Sequence, residues 1–382
     1  MKVTKLHIDE YKVFKDFDID FTHNGEAQNL IVLAGINGTG KTTLLEFIFT
    51  VISSTNISYS DEIHGNNFVD ILDEKIKFYL TKNIAKIDNG LVRISCDDRI
   101  LEEQDKHKDY FNKYICFFRL RHFDHSDYDE DYRSVPYNRT EISLISQYID
   151  KLIYTEGVNP FDSYLKLSSF ISEILKSFNL DFVFLGINSD RTPRFENFQG
   201  KEITLFDLST GERQIISLVV NLHIAGIKDS IILIDEPEFS LHPSWQNRIV
   251  GVLQKYADEY NCQVILATHS PHIIGSVKPE QLRLLYKDES GAIKVKNQVN
   301  GSYGWPVDKV LVGLMDVNTL RTPGASKDLE ELNDMVRKNE FESDEFKTKM
   351  AKLEDTIGAD DDLLTRLRFE IIKRRKDGAA NK

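Results

Sequence analysis

The sequence predicts an α/β fold, with a mixed central sheet, a β-rich lobe, a short helical arm insertion and a C-terminal helical tail. Three observations carry this expectation. The apolar runs "NLIVLA", "SIILID" and "QVILAT" are nearly continuous, as in strands covered on both faces. The last two are separated by a helix-length segment, Trp245 to Tyr260, the spacing of a parallel pair joined by a crossover. With 382 residues, 41% hydrophobic and 29% charged, the chain can bury the core of one large domain with additions or of two modest ones.

Taken in order, "KVTKLHIDEYKVFKDFDIDF" alternates, turns and alternates again, a sheet-edge hairpin that feeds the core strand "NLIVLAG". From Ile57 to Asp124 come three strand candidates, "KIKFYL", "LVRISC" and "YICFFRL", expected together in the β-rich lobe. The tyrosine-rich stretch from Asp124 to Arg139 reads as a solvated loop, too acidic to bind phosphate. Residues 1–139 are therefore expected to form an N-terminal lobe. Residues 140–180 carry helical periodicity at Ile142, Ile145, Ile149, Leu152 and Ile153 with a break at "GVNP", which predicts a helical hairpin or arm. The α/β pattern resumes over residues 181–300. Residues 301–382 read as a tail of three amphipathic helices, marked by Leu329, Leu332 and Val336, by Phe346, Met350, Leu353 and Ile357, and by Leu364, Leu367 and Ile371. Asp360, Asp361 and Asp362 are expected to start the last of these rather than to bind metal.

Composition limits function. No apolar run approaches the roughly 20 residues that span a bilayer, so no membrane partner is expected. The start lacks a secretory core, and three scattered cysteines, Cys96, Cys116 and Cys262, point to a reducing cytoplasm. A net charge of −13 argues against coating nucleic acid by bulk electrostatics, although not against a local basic groove.

Chemistry concentrates at four places. "GINGTGKTT" follows a buried strand, opens a helix and meets the P-loop pattern in full with Gly35, Gly40, Lys41 and Thr42. Backbone N–H groups of such a loop turn inward around an anion, the helix N-terminus adds partial positive charge, Lys41 reaches β- and γ-phosphates and Thr42 ligates Mg²⁺. "IILIDEPE" puts Asp235 at the end of an apolar strand as the second Mg²⁺ ligand, and Glu236 beside it as the base for an attacking water. "ATHS" ends the next strand with His269, placed to hydrogen-bond a γ-phosphate, whereas His242 and His272 read as structural. "LSTGERQ" reads, on its own, as a capped helix start.

These motifs, in this order, resemble the ATP-binding-cassette ATPases, within the branch of SMC, RecF and OLD-type heads; the likeness covers roughly residues 1 to 290 apart from the arm. The resemblance implies a P-loop ABC-ATPase head that hydrolyses ATP with Mg²⁺. It implies nucleotide contacts from Asn37, Gly38, Thr39, Gly40, Lys41, Thr42 and Thr43, and from Lys12 in the N-terminal hairpin. It further implies a dimer, or a higher oligomer, in which Ser209, Gly211 and Glu212 of one copy cap the γ-phosphate held by the other, with Ser240, Leu241 and His242 crossing the seam. The family's glutamine loop has no unambiguous match, and the arm is too short for an SMC coiled coil.

Within the branch, "DEPEFSLHP" and "ATHSPHII" look most like the stand-alone ATPases of bacterial defence systems and the OLD-type proteins, and the tail resembles that of the PtuA-like ATPases of Septu and retron anti-phage systems, which implies control of an HNH-type nuclease partner. The alternative is a RecF-like repair ATPase that binds duplex DNA as its nucleic-acid partner. For that reading the basic run Lys373 to Lys376 is the available patch, although a solvated helix end that complements the helix dipole explains it better.

Overall fold

In the computed structural model of the chain, the described residues are 1–53, 63–64, 67–72, 91–96, 115–119, 141–188, 193–224, 228–297, 299, 302–317 and 319–380. They divide into two compact units, 1–310 and 311–382.

The first unit opens with the antiparallel hairpin β1 (Lys2–Tyr11) and β2 (Phe14–Asp20), then the short pair β3 (Thr22–His23) and β4 (Glu26–Ala27). Strand β5 (Leu30–Ala34), buried at all its positions, delivers the chain to the loop before α1 (Lys41–Ser53). Strands β6 (Ile63–His64), β7 (Asn67–Leu72) and β8 (Leu91–Cys96) join the hairpin in a lobe of order β2-β1-β7-β8, with β6 also on β1. The expected "LVRISC" strand lies in this lobe. "YICFFRL" does not: β9 (Ile115–Arg119) is the edge of the central sheet, parallel to the strand that ends in Asp235. A five-residue apolar run suits either environment, and only its pairing assigns it. "KIKFYL" and the stretch from Asp124 to Arg139 lie outside the described residues.

The helical hairpin follows as α2 (Glu141–Asp150), a π turn (Lys151–Thr155) and α3 (Pro160–Phe178). Asn159 caps α3 by accepting from the Asp162 amide, and Pro160 takes the first helical position, where its missing N–H costs nothing. Tyr148 packs on Phe170 between the two helices. Next come the antiparallel β10 (Phe182–Ile187), β11 (Pro193–Asn197) and β12 (Glu202–Thr204), then α4 (Thr210–Ile224), β13 (Ile231–Asp235) and α5 (Pro243–Glu259). The hairpin lies along α5, with Lys255 paired to Glu173 and Arg248 donating to the Ser177 carbonyl. The unit closes with β14 (Gln263–Thr268), α6 (Pro271–Gly275), β15 (Leu282–Lys287), β16 (Ile293–Asn297) and α7 (Val307–Leu314), which straddles the boundary.

Among the described residues the central sheet has the order β16-β15-β5-β14-β13-β9, parallel throughout except for β16. It is the expected mixed sheet. Side chains of the central sheet hold the lobe: Gln263 Oε1 accepts from Val3 N at 2.7 Å and its Nε2 donates to Val3 O at 2.9 Å, so a buried amide pairs with β1 as a neighbouring strand would, and Arg283 of β15 donates to Asp20 O of β2.

The unit boundary falls after Val310 rather than at residue 301. Gly304 N donates to Gly275 O at 2.8 Å, and Val310, fully buried, lies against Gly275, so these residues belong to the first unit. The second unit contains α8 (Pro323–Arg337), α9 (Asp344–Ile357) and α10 (Asp362–Ala380). Its core is built from the three apolar stripes read in the sequence, Leu329, Leu332, Val336, Phe346, Met350, Leu353, Leu364, Leu367 and Ile371, with Ile357 packed against them. Asp361 accepts from the amides of Leu363 and Leu364, capping α10, and pairs with Arg321 at 2.7 Å. In the basic run, Arg374 is paired with Glu370 and Arg375 with Glu342. Among the described residues no helix is long and apolar enough to cross a membrane.

Candidate active site

The loop of residues 35–40 turns at the C-terminal end of β5 under tight steric constraint. Gly40 has φ +82°, and a Cβ there would lie 2.7 Å from the Phe14 ring and 2.9 Å from Val13. A Cβ on Gly35 would lie 2.4 Å from the Leu285 carbonyl oxygen. Glycine is required at both, and the hairpin tip and β15 thereby brace the loop from two sides. Asn37 and Gly38 are exposed at its crown, Thr39 is buried and donates to Ile36 O at 2.9 Å, and Thr43 is half-buried in the first turn of α1. Lys41 is buried and donates to Gly35 O at 2.7 Å and Ile36 O at 3.1 Å.

Thr42 and Asp235 meet across the sheet: the Thr42 hydroxyl lies 3.0 and 3.1 Å from the two oxygens of the buried Asp235 carboxylate. A hydroxyl and a carboxylate brought together beside a phosphate-binding loop are hard oxygen donors of the kind Mg²⁺ takes, so the donor set fits the ion. Lys12, in the turn after β1, has φ +49° and sits beside this loop through its neighbours Val13 and Phe14. Its Nζ pairs with Glu46 of α1 at 3.3 Å.

Glu236 directly follows β13 with φ +50°, a strained conformation for a residue with a Cβ, and its amide donates to Ala267 O of β14 at 2.9 Å. Its side chain is buried, and His269, at the end of β14, brings Nδ1 within 3.4 Å of Glu236 Oε1. Glu236 and His269 are therefore in contact.

Sequence reasoning missed Glu238. This carboxylate is buried; its Oε1 accepts from the Thr268 hydroxyl and the His269 amide, both at 2.8 Å, and lies 3.2 Å from His269 Nδ1. Burial pushes its pKa up, against hydrogen bonds from its own and the His269 amide and from Thr268 that pull it down. The available signal was the second glutamate of "DEPE", which reads in sequence as a turn residue after Pro237.

Ser209, Gly211 and Glu212 form a separate cluster at the start of α4. The Ser209 amide donates to Glu212 Oε2 at 2.6 Å and the Glu212 amide to Ser209 Oγ at 3.3 Å, a reciprocal capping box. A Cβ on Gly211 would lie 2.5 Å from the Ser240 carbonyl oxygen and 3.0 Å from Trp245, so the helix start is seated on the loop of residues 240–242. Ser240 has φ +60° and His242 caps α5, accepting from the Ser244 amide.

The chain matches the family described as "AAA domain, putative AbiEii toxin, Type IV TA system" over residues 59–275. It is 25% identical over 376 residues to the Septu protein PtuA of Bacillus thuringiensis, covering 84% of this chain and 86% of that one. It is 33% identical over 157 residues to the Retron Vc95 probable ATPase of Vibrio cholerae serotype O1 biovar El Tor, covering 37% of this chain. To the Retron Ec83 probable ATPase of Escherichia coli it is 31% identical over 186 residues, 45% of this chain. The chain spans 30% and 33% of the length of those two retron proteins. In fold it is similar to an SMC head bound to the C-winged helix domain of ScpA, with TM-score 0.50, 15% identity, and coverage of 78% of this chain and 97% of the other. The family match over more than half its length, with the P-loop and carboxylate strand end assembled as above, places the chain in this AAA family, as an ABC-type P-loop ATPase related to the Septu PtuA and retron ATPases.

Proposed function

We propose that the protein binds ATP with Mg²⁺, closes with a second copy around two nucleotides, hydrolyses them, and through that cycle controls a partner nuclease in anti-phage defence. The observation that carries the catalytic part is the meeting of Thr42 with Asp235 next to the Glu236–His269 pair, at the ends of adjoining parallel strands. Lys41 and the amides of Asn37, Gly38, Thr39, Gly40, Thr42 and Thr43 would take the phosphates, with Lys12 approaching from the hairpin. Thr42 and Asp235 would hold Mg²⁺, which when bound neutralises phosphate charge. Glu236 accepts a proton from the attacking water, and His269 donates a hydrogen bond toward the γ-phosphate. Ser209, Gly211 and Glu212 act on the nucleotide of the second copy.

The partner assignment rests on kinship with the Septu PtuA protein, matched along most of both chains. An HNH-type nuclease is the expected effector, and the cytoplasm its compartment. The duplex-binding alternative gains no support from the basic run, whose two arginines are already paired. The test is to mix two inactive variants, Lys41→Ala and Ser209→Arg, in ATP. Each mixed dimer retains one complete site, so hydrolysis should return on mixing; no recovery across a range of ratios sinks the trans-acting signature. Purification of the chain with its genomic neighbours, with and without ATP, tests the nuclease.

A further inference from the structure

Glu238 belongs to none of the roles above, yet its surroundings are built around it. The Thr268 hydroxyl accepts from Ser270 N at 2.9 Å, so its single hydrogen goes to Glu238 Oε1 at 2.8 Å. The His269 amide donates to the same oxygen at 2.8 Å. An oxygen that receives two hydrogen bonds has no lone pair left for a proton of its own, and it faces the His269 ring as a negative charge. His269 Nδ1 is buried and lies 3.2 Å from it and 3.4 Å from Glu236 Oε1, ion-pair distances to two carboxylates at once although it is aligned for a hydrogen bond with neither, so the hold on it is one of charge. The second Glu238 oxygen is buried without a hydrogen-bond partner, so nothing on that side competes for the carboxylate.

We propose that Glu238 is a positioning residue: its Oε1 keeps the hydrogen of His269 on Nδ1 and holds the ring against Glu236, leaving Nε2 as the nitrogen offered to phosphate or water. In either charge state of the ring Nδ1 carries a hydrogen, so the orientation survives proton movement elsewhere. The same grip reaches the loop of residues 240–242. Ser270, whose amide donates to Thr268, donates through its hydroxyl to Gln246 Oε1 at 2.6 Å, and Gln246 Nε2 donates to Leu241 O at 2.8 Å. Displacement of that loop would pull on Ser270 and Thr268, and therefore on the carboxylate that aims His269. This inference rests on the ATPase reading for its kinetic consequence but not for its structural one.

Glu238→Gln keeps an acceptor for Thr268 and the His269 amide and removes the charge facing the ring. The expected result is a fall in kcat of roughly 10- to 100-fold, as when a carboxylate orienting a functional histidine is lost, with KM and nucleotide affinity within about twofold of wild type. Added to His269→Ala, it should cost nothing further. Unchanged kcat, losses that multiply, or affinity falling in step with kcat would each overturn the proposal. A second readout needs no hydrolysis. In protein labelled with ¹⁵N-histidine, with the signal of His269 identified by its loss in His269→Asn, wild type should carry hydrogen on Nδ1 and Glu238→Gln should shift toward the other tautomer. The same tautomer in both proteins refutes the role of Glu238 directly. Absence of turnover in wild type would instead refute the ATPase reading and leave the tautomer result to decide on Glu238.

Discussion

Replacing Gly40 by alanine should separate the bracing of the phosphate loop from its chemistry. The φ of +82° at this position is one that an L side chain adopts at a cost of roughly 1–2 kcal/mol. The new Cβ would also lie 2.7 Å from the ring of Phe14, which is fully buried. Overpacking of this kind costs about 1–3 kcal/mol. The sum, about 2–5 kcal/mol, is a large part of the roughly 5–15 kcal/mol that stabilises a typical domain. The loop relieves it only by moving, and its amides then no longer converge on an anion. Urea unfolding with and without ATP-Mg²⁺, together with binding of a fluorescent ATP analogue, reads both consequences. Phe14→Leu in the Gly40→Ala background should recover the steric share and leave the backbone share, giving a coupling of about 1–3 kcal/mol in a double-mutant cycle. A Gly40→Ala protein with wild-type stability and wild-type nucleotide affinity would refute the claim that the hairpin braces the loop.

Four further outcomes are expected. Glu236→Gln should lower ATP turnover by about 10²–10⁴-fold while nucleotide binding persists, and should hold the dimer in ATP long enough to be seen by sedimentation. Ser209→Ala should cost about 1 kcal/mol through loss of the cap, read by thermal melting, and should lower hydrolysis beyond what that loss explains. Leu332→Ala, at a fully buried position of the tail core, should destabilise the second unit by about 2–5 kcal/mol and expose α8 to α10 to protease, with ATP binding retained. For His7, burial opposes protonation, but hydrogen bonds to Asp9 and Asp18 outweigh it and raise the pKa above 6.5. Its contribution is therefore complete below the unfolded value and lost as pH rises through the raised folded value. The gap in unfolding free energy between wild type and His7→Gln should accordingly be larger at about pH 5.5 than at about pH 9.

Local rules made much of this molecule legible. The P-loop and its strand-loop-helix setting are contiguous, so the sequence contains the whole device. The tail stripes follow helical periodicity, and all nine apolar positions of its core sit where that period puts them. What escaped depends on partners distant in the chain. The strand "YICFFRL" has the composition of either sheet, and its place beside β13 is set by pairing alone. Glu238 follows a proline in what reads as a turn, and only the approach of Thr268 and His269 turns it into part of a site. For Gly211 the resemblance implies a contact to a second copy's phosphate, but its seating against the Ser240 carbonyl depends on a residue distant in the chain. The seating of residues 302–310 on the first unit was hidden for the same reason, because it depends on Gly275.

The order of strands in the central sheet also has a temporal meaning. Strand β5, which presents the phosphate loop, has its two neighbours, β14 and β15, far downstream in the chain. At about 5–20 residues per second, the roughly 230 residues between β5 and β14 take on the order of 10–50 s to leave the ribosome. Throughout that interval one of the most apolar strands of the protein is synthesised and unpaired, and Val3 likewise awaits Gln263. The nascent chain thus passes through a long stage in which its nucleotide loop is complete in sequence and absent in structure, and chaperone occupancy during translation should concentrate on the segment around Leu30 to Ala34 until the second half emerges.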